Sequence, residues 1–134
     1  MRRLQPPGWP EPKGYANGIE AAGMVFTGGQ IGWDETGAFP HADLAGQVGQ
    51  ALRNVVAVLA QAGAGPQDVV RLTWYLTDRE EYLAQQPEIG AAYRAVMGRH
   101  FPAMAVVEVS GLLEPGAKIE IEATAILRRD AASG

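Results

Sequence analysis

Lys118-Ile119-Glu120-Ile121-Glu122-Ala123-Thr124-Ala125-Ile126-Leu127 alternates without a break. Ile119, Ile121, Ala123, Ala125 and Leu127 fall on one side, and Lys118, Glu120, Glu122 and Thr124 on the other. That is the period of a strand with one face in a core. The preceding extended stretch, Phe101-Pro102-Ala103-Met104-Ala105-Val106-Val107-Glu108-Val109, alternates less strictly. Two carboxylates on one strand face fit either solvent or a cleft, and the rest of the chain has to choose.

The chain has 134 residues, enough for one domain with a core that needs neither metal nor disulfide. An apolar fraction of 47% with 19% charged residues is ordinary globular composition. The sequence holds no cysteine, which excludes disulfides, thiolate chemistry and cysteine-bound metals. Behind Arg2 and Arg3 there is no apolar segment of the kind a secretory signal carries, and no apolar run is long enough to cross a bilayer. The expectation is a cytoplasmic protein with no membrane partner. A formal charge of −4, with its 11 basic residues scattered, also speaks against a nucleic-acid partner. His41 and His100 lie far apart and match no metal-ligand spacing, so no metal is expected.

Outward from the two strands, the chain divides into an extended arm over residues 1–14, one domain over 15–128, and a small polar tail over 129–134 expected to be disordered. The arm contains Pro6, Pro7, Pro10 and Pro12, which suit neither a helix nor a central strand. Trp9 is its expected anchor. Residues 15–31 read as a hairpin, with a first strand at 18–21, a turn at Ala22-Gly23, and a second strand from Met24 to Ile31. Gly28-Gly29 inside that strand marks either a simple bulge or a place where a ligand approaches the backbone.

Residues 43–62 predict a helix. Leu44, Val48, Ala51, Leu52, Val55, Leu59 and Ala62 form the apolar stripe, and Gln47, Gln50, Arg53, Asn54 and Gln61 take the other side. Asp43 suits its start, and Gly63 and Gly65-Pro66 its end. Val69 to Leu76 predicts a strand with Val70, Leu72, Trp74 and Leu76 on one face. Residues 78–86 are polar, with a possible helical turn. A second helix begins near Pro87, buries Ile89, Ala92, Tyr93 and Val96, and stops at Gly98. His41 and His100 read as helix-end residues.

The order β-β-α-β-α-β-β predicts an α+β fold with both helices on one face of a mixed sheet. The other face is read as Thr27, Gly29, Arg71, Thr73, Met104, Val106 and Glu120. That set is too apolar for open water and too polar for a monomer core, so a cyclic homo-oligomer is expected.

Gly14-Tyr15, Thr27-Gly28-Gly29-Gln30-Ile31, Gln50-Ala51-Leu52-x-Asn54-Val55, Val69-Val70-Arg71-Leu72-Thr73-x-Tyr75-Leu76-Thr77-Asp78, Phe101-Pro102-Ala103 and Lys118-Ile119-Glu120-Ile121-Glu122-Ala123 together resemble the RidA (YjgF) family. The resemblance runs in order over about residues 14–128. It implies a chorismate-mutase-like fold and a homotrimer with clefts between subunits. It also implies hydrolysis of reactive enamines or imines to ketone and ammonia without cofactor or metal. Older labels in the family include endoribonuclease and translation inhibitor. On this resemblance Glu120 matches the acidic residue that positions and activates water, Tyr15 a tyrosine lining the cleft, and Gly29 a glycine whose backbone meets the substrate.

The departures narrow the substrate. Where deaminating members carry an arginine that clamps a carboxylate, this chain has Met104, which has no guanidinium fork. Arg71 and Arg94 are the candidates to compensate. Val106 replaces a frequent cysteine, leaving only its backbone to serve, and Gly90 replaces an asparagine. Residues 79–86 also look about one helical turn longer than in typical members. A less charged, roomier cleft, with methionine as an adaptable wall, suits a larger or neutral ligand, including an aromatic one, better than a small amino-acid-derived acid.

Three functional readings follow: an enamine or imine hydrolase using Glu120 and water, a non-catalytic or regulatory trimer binding a small molecule in the same clefts, and, ranked below both, an endoribonuclease. Tyr15 fits the cleft or an anchor for the arm, and Trp33 a cleft rim or a surface-packed residue. Trp74 is read as core, and Glu122 and Glu108 as structural.

Overall fold

A computed structural model describes residues 1–128; the tail expected at 129–134 lies outside the described residues. The strands are β1 (Arg2–Leu4), β2 (Gly18–Ala21), β3 (Met24–Thr27), β4 (Gln30–Ile31), β5 (Val69–Leu76), β6 (Ala103–Glu108) and β7 (Ile119–Ile126). The helices are α1 (Leu44–Ala60), α2 (Arg79–Ala84) and α3 (Gln86–Met97). The strand order is β1-β2-β3-β7-β5-β6, with β4 also paired to β7. β5 and β6 run parallel, joined by a crossover through α2 and α3, while β7 is antiparallel to β3, β4 and β5. This is the expected α+β fold, with β7 at the centre of the sheet.

Burial follows the alternation of β7. Ile119, Ile121, Ala123 and Ala125 are buried, and the residues between them are half-buried. Val48, Leu52, Val55 and Leu59 of α1 close over that face. At 25 cal/mol per Å², each fully buried aliphatic side chain contributes about 1.5–3 kcal/mol. The helix begins at Asp43, whose carboxylate accepts from the Gly46 N–H at 3.2 Å. Glu81 of α2 and Gln85, the residue that ends it, reach across to accept from the Leu44 and Ala45 N–H groups. The polar segment after β5 therefore forms a short helix that satisfies donors at the start of α1.

Several expectations change. The arm is not free of sheet structure: β1 pairs antiparallel with β2 at the sheet edge. Leu4, only 2% exposed, anchors it more deeply than half-buried Trp9. In β5 a bulge between Val69 and Arg71 turns Val69 inward and leaves Val70 exposed, reversing the reading at that end. Gln47 and Asn54, assigned to the polar side of α1, are buried because loops need their amides. The Gln47 side chain bonds the Gly116 carbonyl and the Lys118 N–H, fixing the approach to β7. Asn54 donates to the carbonyls of Ile31 and Trp33 at 2.9 and 2.8 Å.

The predicted turn at Ala22-Gly23 is present, both residues having positive φ (54° and 76°), which matches a two-residue hairpin turn. The strand after it does not run through: Gly28-Gly29 separates β3 from β4 while both remain paired to β7. α3 stops at Met97 with Gly98 as its cap, so His100 lies beyond the helix end and does not cap it; its Nε2 lies instead 2.7 Å from the Val69 carbonyl.

Candidate active site

Register fixes which side chains share a face. On β5, Leu72, Trp74 and Leu76 are buried beneath the helices, so Arg71, Thr73 and Tyr75 take the open face. Tyr75 pairs with Glu120 and Thr73 with Glu122, placing both carboxylates there too. Met104 pairs with Leu72 and Val106 with Trp74, which puts both on the helix side. The expectation that Met104, Val106 and Glu120 line one face of a single chain is therefore corrected. The parallel β5–β6 register sets the parity, and no sequence pattern within Phe101–Val109 shows it.

The Glu120 side contains the expected glycine. A β-carbon at Gly29 would stand 2.5 Å from Glu120 Oε2 and 2.6 Å from its carboxyl carbon. Only glycine leaves that carboxylate its place against the Gly28-Gly29 link between β3 and β4. Burial pushes the Glu120 carboxyl above its ordinary value, and the negative charge of Glu122 adds to the rise. Glu122 itself accepts a 2.8 Å hydrogen bond from Tyr75 Oη. That bond, then burial and the charges of Glu122 and Glu120, raises the Tyr75 phenol. Glu122 is thus a tethered neighbour that tunes Glu120, a role its strand alternation alone did not reveal.

Tyr15 and Trp33 do come together. With Trp9, Asn17 and Asn54 they line a cavity of about 330 Å³ beneath the arm. Trp33 also packs on Phe39, with ring centroids 6.3 Å apart. Asn54 holds the Trp33 carbonyl, so α1 sets the position of this rim. Tyr15 is 56% exposed, which excludes a buried anchor for the arm and leaves it open to a ligand.

On the helix side, Met104 and Gly90 share a cavity of about 160 Å³ with Trp74, Tyr93, Arg94 and Phe101. Its wall is aromatic: Tyr93 stacks on Phe101 at 5.6 Å and tilts against Trp74 at 6.3 Å. Met104 is 47% exposed and lines this cavity without filling it. Val106 is half-buried and packs against the core. The indole N–H of Trp74 is buried with no partner, the one such side-chain atom among the described residues. An unmet buried donor of this kind costs about 1–3 kcal/mol. The sequence reading placed Trp74 in the core correctly but did not foresee its unmet donor.

Among the described residues no group of three or more His, Cys, Asp or Glu side chains is placed to hold a metal ion. No described helix is long and apolar enough to cross a membrane.

A mixed sheet with helices on one face and a half-buried carboxylate set against a backbone glycine on the other define a small α+β protein with a candidate acid–base group on its open face. The chain belongs to the RidA (YjgF) family: the sequence profile described as Endoribonuclease L-PSP matches residues 10–127. It is 37% identical over 118 residues to the 2-iminobutanoate/2-iminopropanoate deaminase of Escherichia coli K12, covering 85% of this chain and 88% of that one. Its fold superposes on the crystal structure of the YjgF gene product of Escherichia coli with a TM-score of 0.82 at 35% identity, covering 96% of this chain and all of that one. It also matches Escherichia coli TdcF with bound serine at a TM-score of 0.82 and 30% identity, covering 96% of this chain and 100% of that one. The family thus includes imine deaminases and a member that binds a small amino acid.

Proposed function

We propose that the protein hydrolyses a reactive imine or enamine larger than 2-iminopropanoate, releasing ketone and ammonia, in clefts between copies of the chain. The observation that carries this reading is the Glu120 carboxyl, half-buried, raised in pKa and set against the backbone at Gly29. A protonated imine carbon is already electrophilic, so a water needs only a base and a position. Glu120 takes a proton from that water as its oxygen bonds to the carbon, giving a carbinolamine. The carboxylic acid then returns the proton to the nitrogen. The C–N bond breaks, ammonia leaves, and loss of the hydroxyl proton yields the ketone. One water is consumed for each imine. A raised pKa suits both halves, because the group must accept a proton and then give it up near neutral pH.

The separation of faces supports a cleft between copies. Glu120 and Gly29 lie on the open face, while Met104 and Gly90 lie on the helix side. If both sets serve one ligand, two copies of the chain contribute to each site. A homotrimer, the assembly implied by the family resemblance, provides this and covers the open face.

The size of the substrate rests on Met104, which cannot grip a small carboxylate as arginine does. Hydrolysis of 2-aminoacrylate or 2-iminopropanoate at the rate of an arginine-containing relative would overturn that part. A second reading is favoured by the same methionine: a trimer that binds a small molecule in these clefts without turnover. Glu120→Gln separates the two. Ammonia release from imines generated in situ is expected to fall by at least about 100-fold, with ligand binding retained. If the parent protein turns over no imine, the binding reading replaces the hydrolase. The formal charge of −4 ranks a ribonuclease below both.

A further inference from the structure

The cavity beside Met104 lacks an arginine on β6 but has one on α3. Arg94 lines that cavity, and its Nη1 lies 3.2 Å from where a β-carbon on Gly90 would stand. The guanidinium is folded back over the glycine, and a side chain at 90 would press on it. Arg94 makes no ion pair among the described residues, whereas Arg2, Arg3 and Arg128 are each paired with a carboxylate. Arg71, the other candidate, sits across from Thr124 on the open face, beside Glu122 and away from Met104. Glu120 lies four residues further along β7 from Thr124, about 13 Å at 3.3 Å per residue.

A second, independent feature belongs to the same cavity. Trp74 forms part of its wall, is 2% exposed, and carries the unpartnered indole N–H. Of the other wall residues, Tyr93, Phe101 and Ile89 present rings and hydrocarbon, while Tyr82 and Gln86 add a hydroxyl and an amide. A free guanidinium at the rim and a largely aromatic lining describe one ligand chemistry. It is a carboxylate attached to a bulky apolar body.

We propose that Arg94, seated over Gly90, supplies the anion contact that Met104 does not, and that the cavity takes an organic acid with an aromatic or branched aliphatic group. The inference deepens the deaminase reading, which it uses for the location of the cleft, by naming the substrate as a bulky 2-imino acid. The carboxylate is gripped from the helix side and the apolar body lies against Phe101, Tyr93 and Met104. The small residue at 90 and the methionine at 104 are then one arrangement: the first makes room for the displaced arginine, and the second replaces charge with apolar surface.

Binding tests this without depending on turnover. 3-Phenylpropanoate and its neutral amide are titrated against the intact protein by calorimetry, with the indole N–H resonances followed by NMR. The Trp74 signal is assigned by its loss in Trp74→Phe. The parent is expected to prefer the carboxylate over the amide by at least about ten-fold, as a charge-assisted contact implies. Arg94→Gln is expected to erase that preference, weakening the carboxylate far more than the amide, Arg94→Lys to keep part of it, and the Trp74 indole signal to move on titration. Equal carboxylate affinity in parent and Arg94→Gln, or an indole signal that stays still at saturation, overturns the proposal. Ammonia release from the imine of phenylalanine decides the deaminase reading separately, so failure of one is distinguishable from failure of the other.

Discussion

The two faces of the sheet treat charge in opposite ways. On the open face, Glu120 and Glu122 sit two residues apart, and burial and mutual repulsion hold Glu120 above its ordinary pKa. On the helix side, the strand next to the aromatic cavity carries Met104, and the nearest cation stands on a helix. On the reading proposed above, the first face keeps a base beside a backbone glycine and the second takes its grip from a helix instead of a strand. Chemistry and selectivity would then be carried by different elements, so one can change without the other.

Glu120→Gln breaks the first face and has the largest expected effect, the loss of turnover already described. It also has a stability signature whose sign is fixed. A carboxyl with a folded-state pKa above its unfolded value contributes most to stability below the unfolded value, and that contribution is lost as pH rises through the folded-state pKa. The amide variant is therefore expected to melt higher than the parent at neutral pH and to lose that advantage in acid, which calorimetric scans across pH would record.

Gly29→Ala attacks the same face more gently. A methyl group there would displace the Glu120 carboxyl, and a catalyst moved by a fraction of an ångström is expected to lose roughly 10- to 100-fold in kcat. Melting temperature should change little, since Gly29 is exposed. A loss of kcat/KM confined to KM would contradict the assigned contact. Met104→Arg tests the second face: restoring a guanidinium on β6 should lower KM for 2-iminopropanoate by about ten-fold, read from initial rates.

Glu122→Gln should have the smallest effect, on pH dependence alone. Removing its charge lowers the Glu120 pKa. The rising acidic limb of the rate profile, which tracks ionised Glu120, is expected to move to lower pH. A limb that stays in place would show that Glu122 does not tune the base.

Much of this was legible in the chain. β7 announced itself because it is central and covered on one side only, which leaves strict alternation. α1 did so because its stripe is long and its cap is an aspartate. The motifs around Gly28-Gly29 and Glu120 placed the family and the candidate base. The parity of β6 was not legible: an edge strand with exposed residues on both faces carries no burial pattern, and its register with β5 depends on how α2 and α3 return the chain. Gln47 and Asn54 misled for a related reason. Their amides are buried to satisfy loops distant in sequence, and periodicity treats every amide as solvent-facing. The position of Arg94 followed from neither pattern, because it depends on the missing side chain at Gly90.

The central claim is that one site takes its base from the open face of one copy and its selectivity from the helix side of another. Subunit complementation tests it most directly. Glu120→Gln and Met104→Trp, the second filling the aromatic cavity, are each expected to be inactive alone. Co-expressed with different tags and purified as mixed trimers, they should recover about one third of parental ammonia release, because in each mixed ring one cleft of the three pairs an intact base with an intact cavity. No recovery in verified mixed assemblies would place the whole site within one chain and contradict the account.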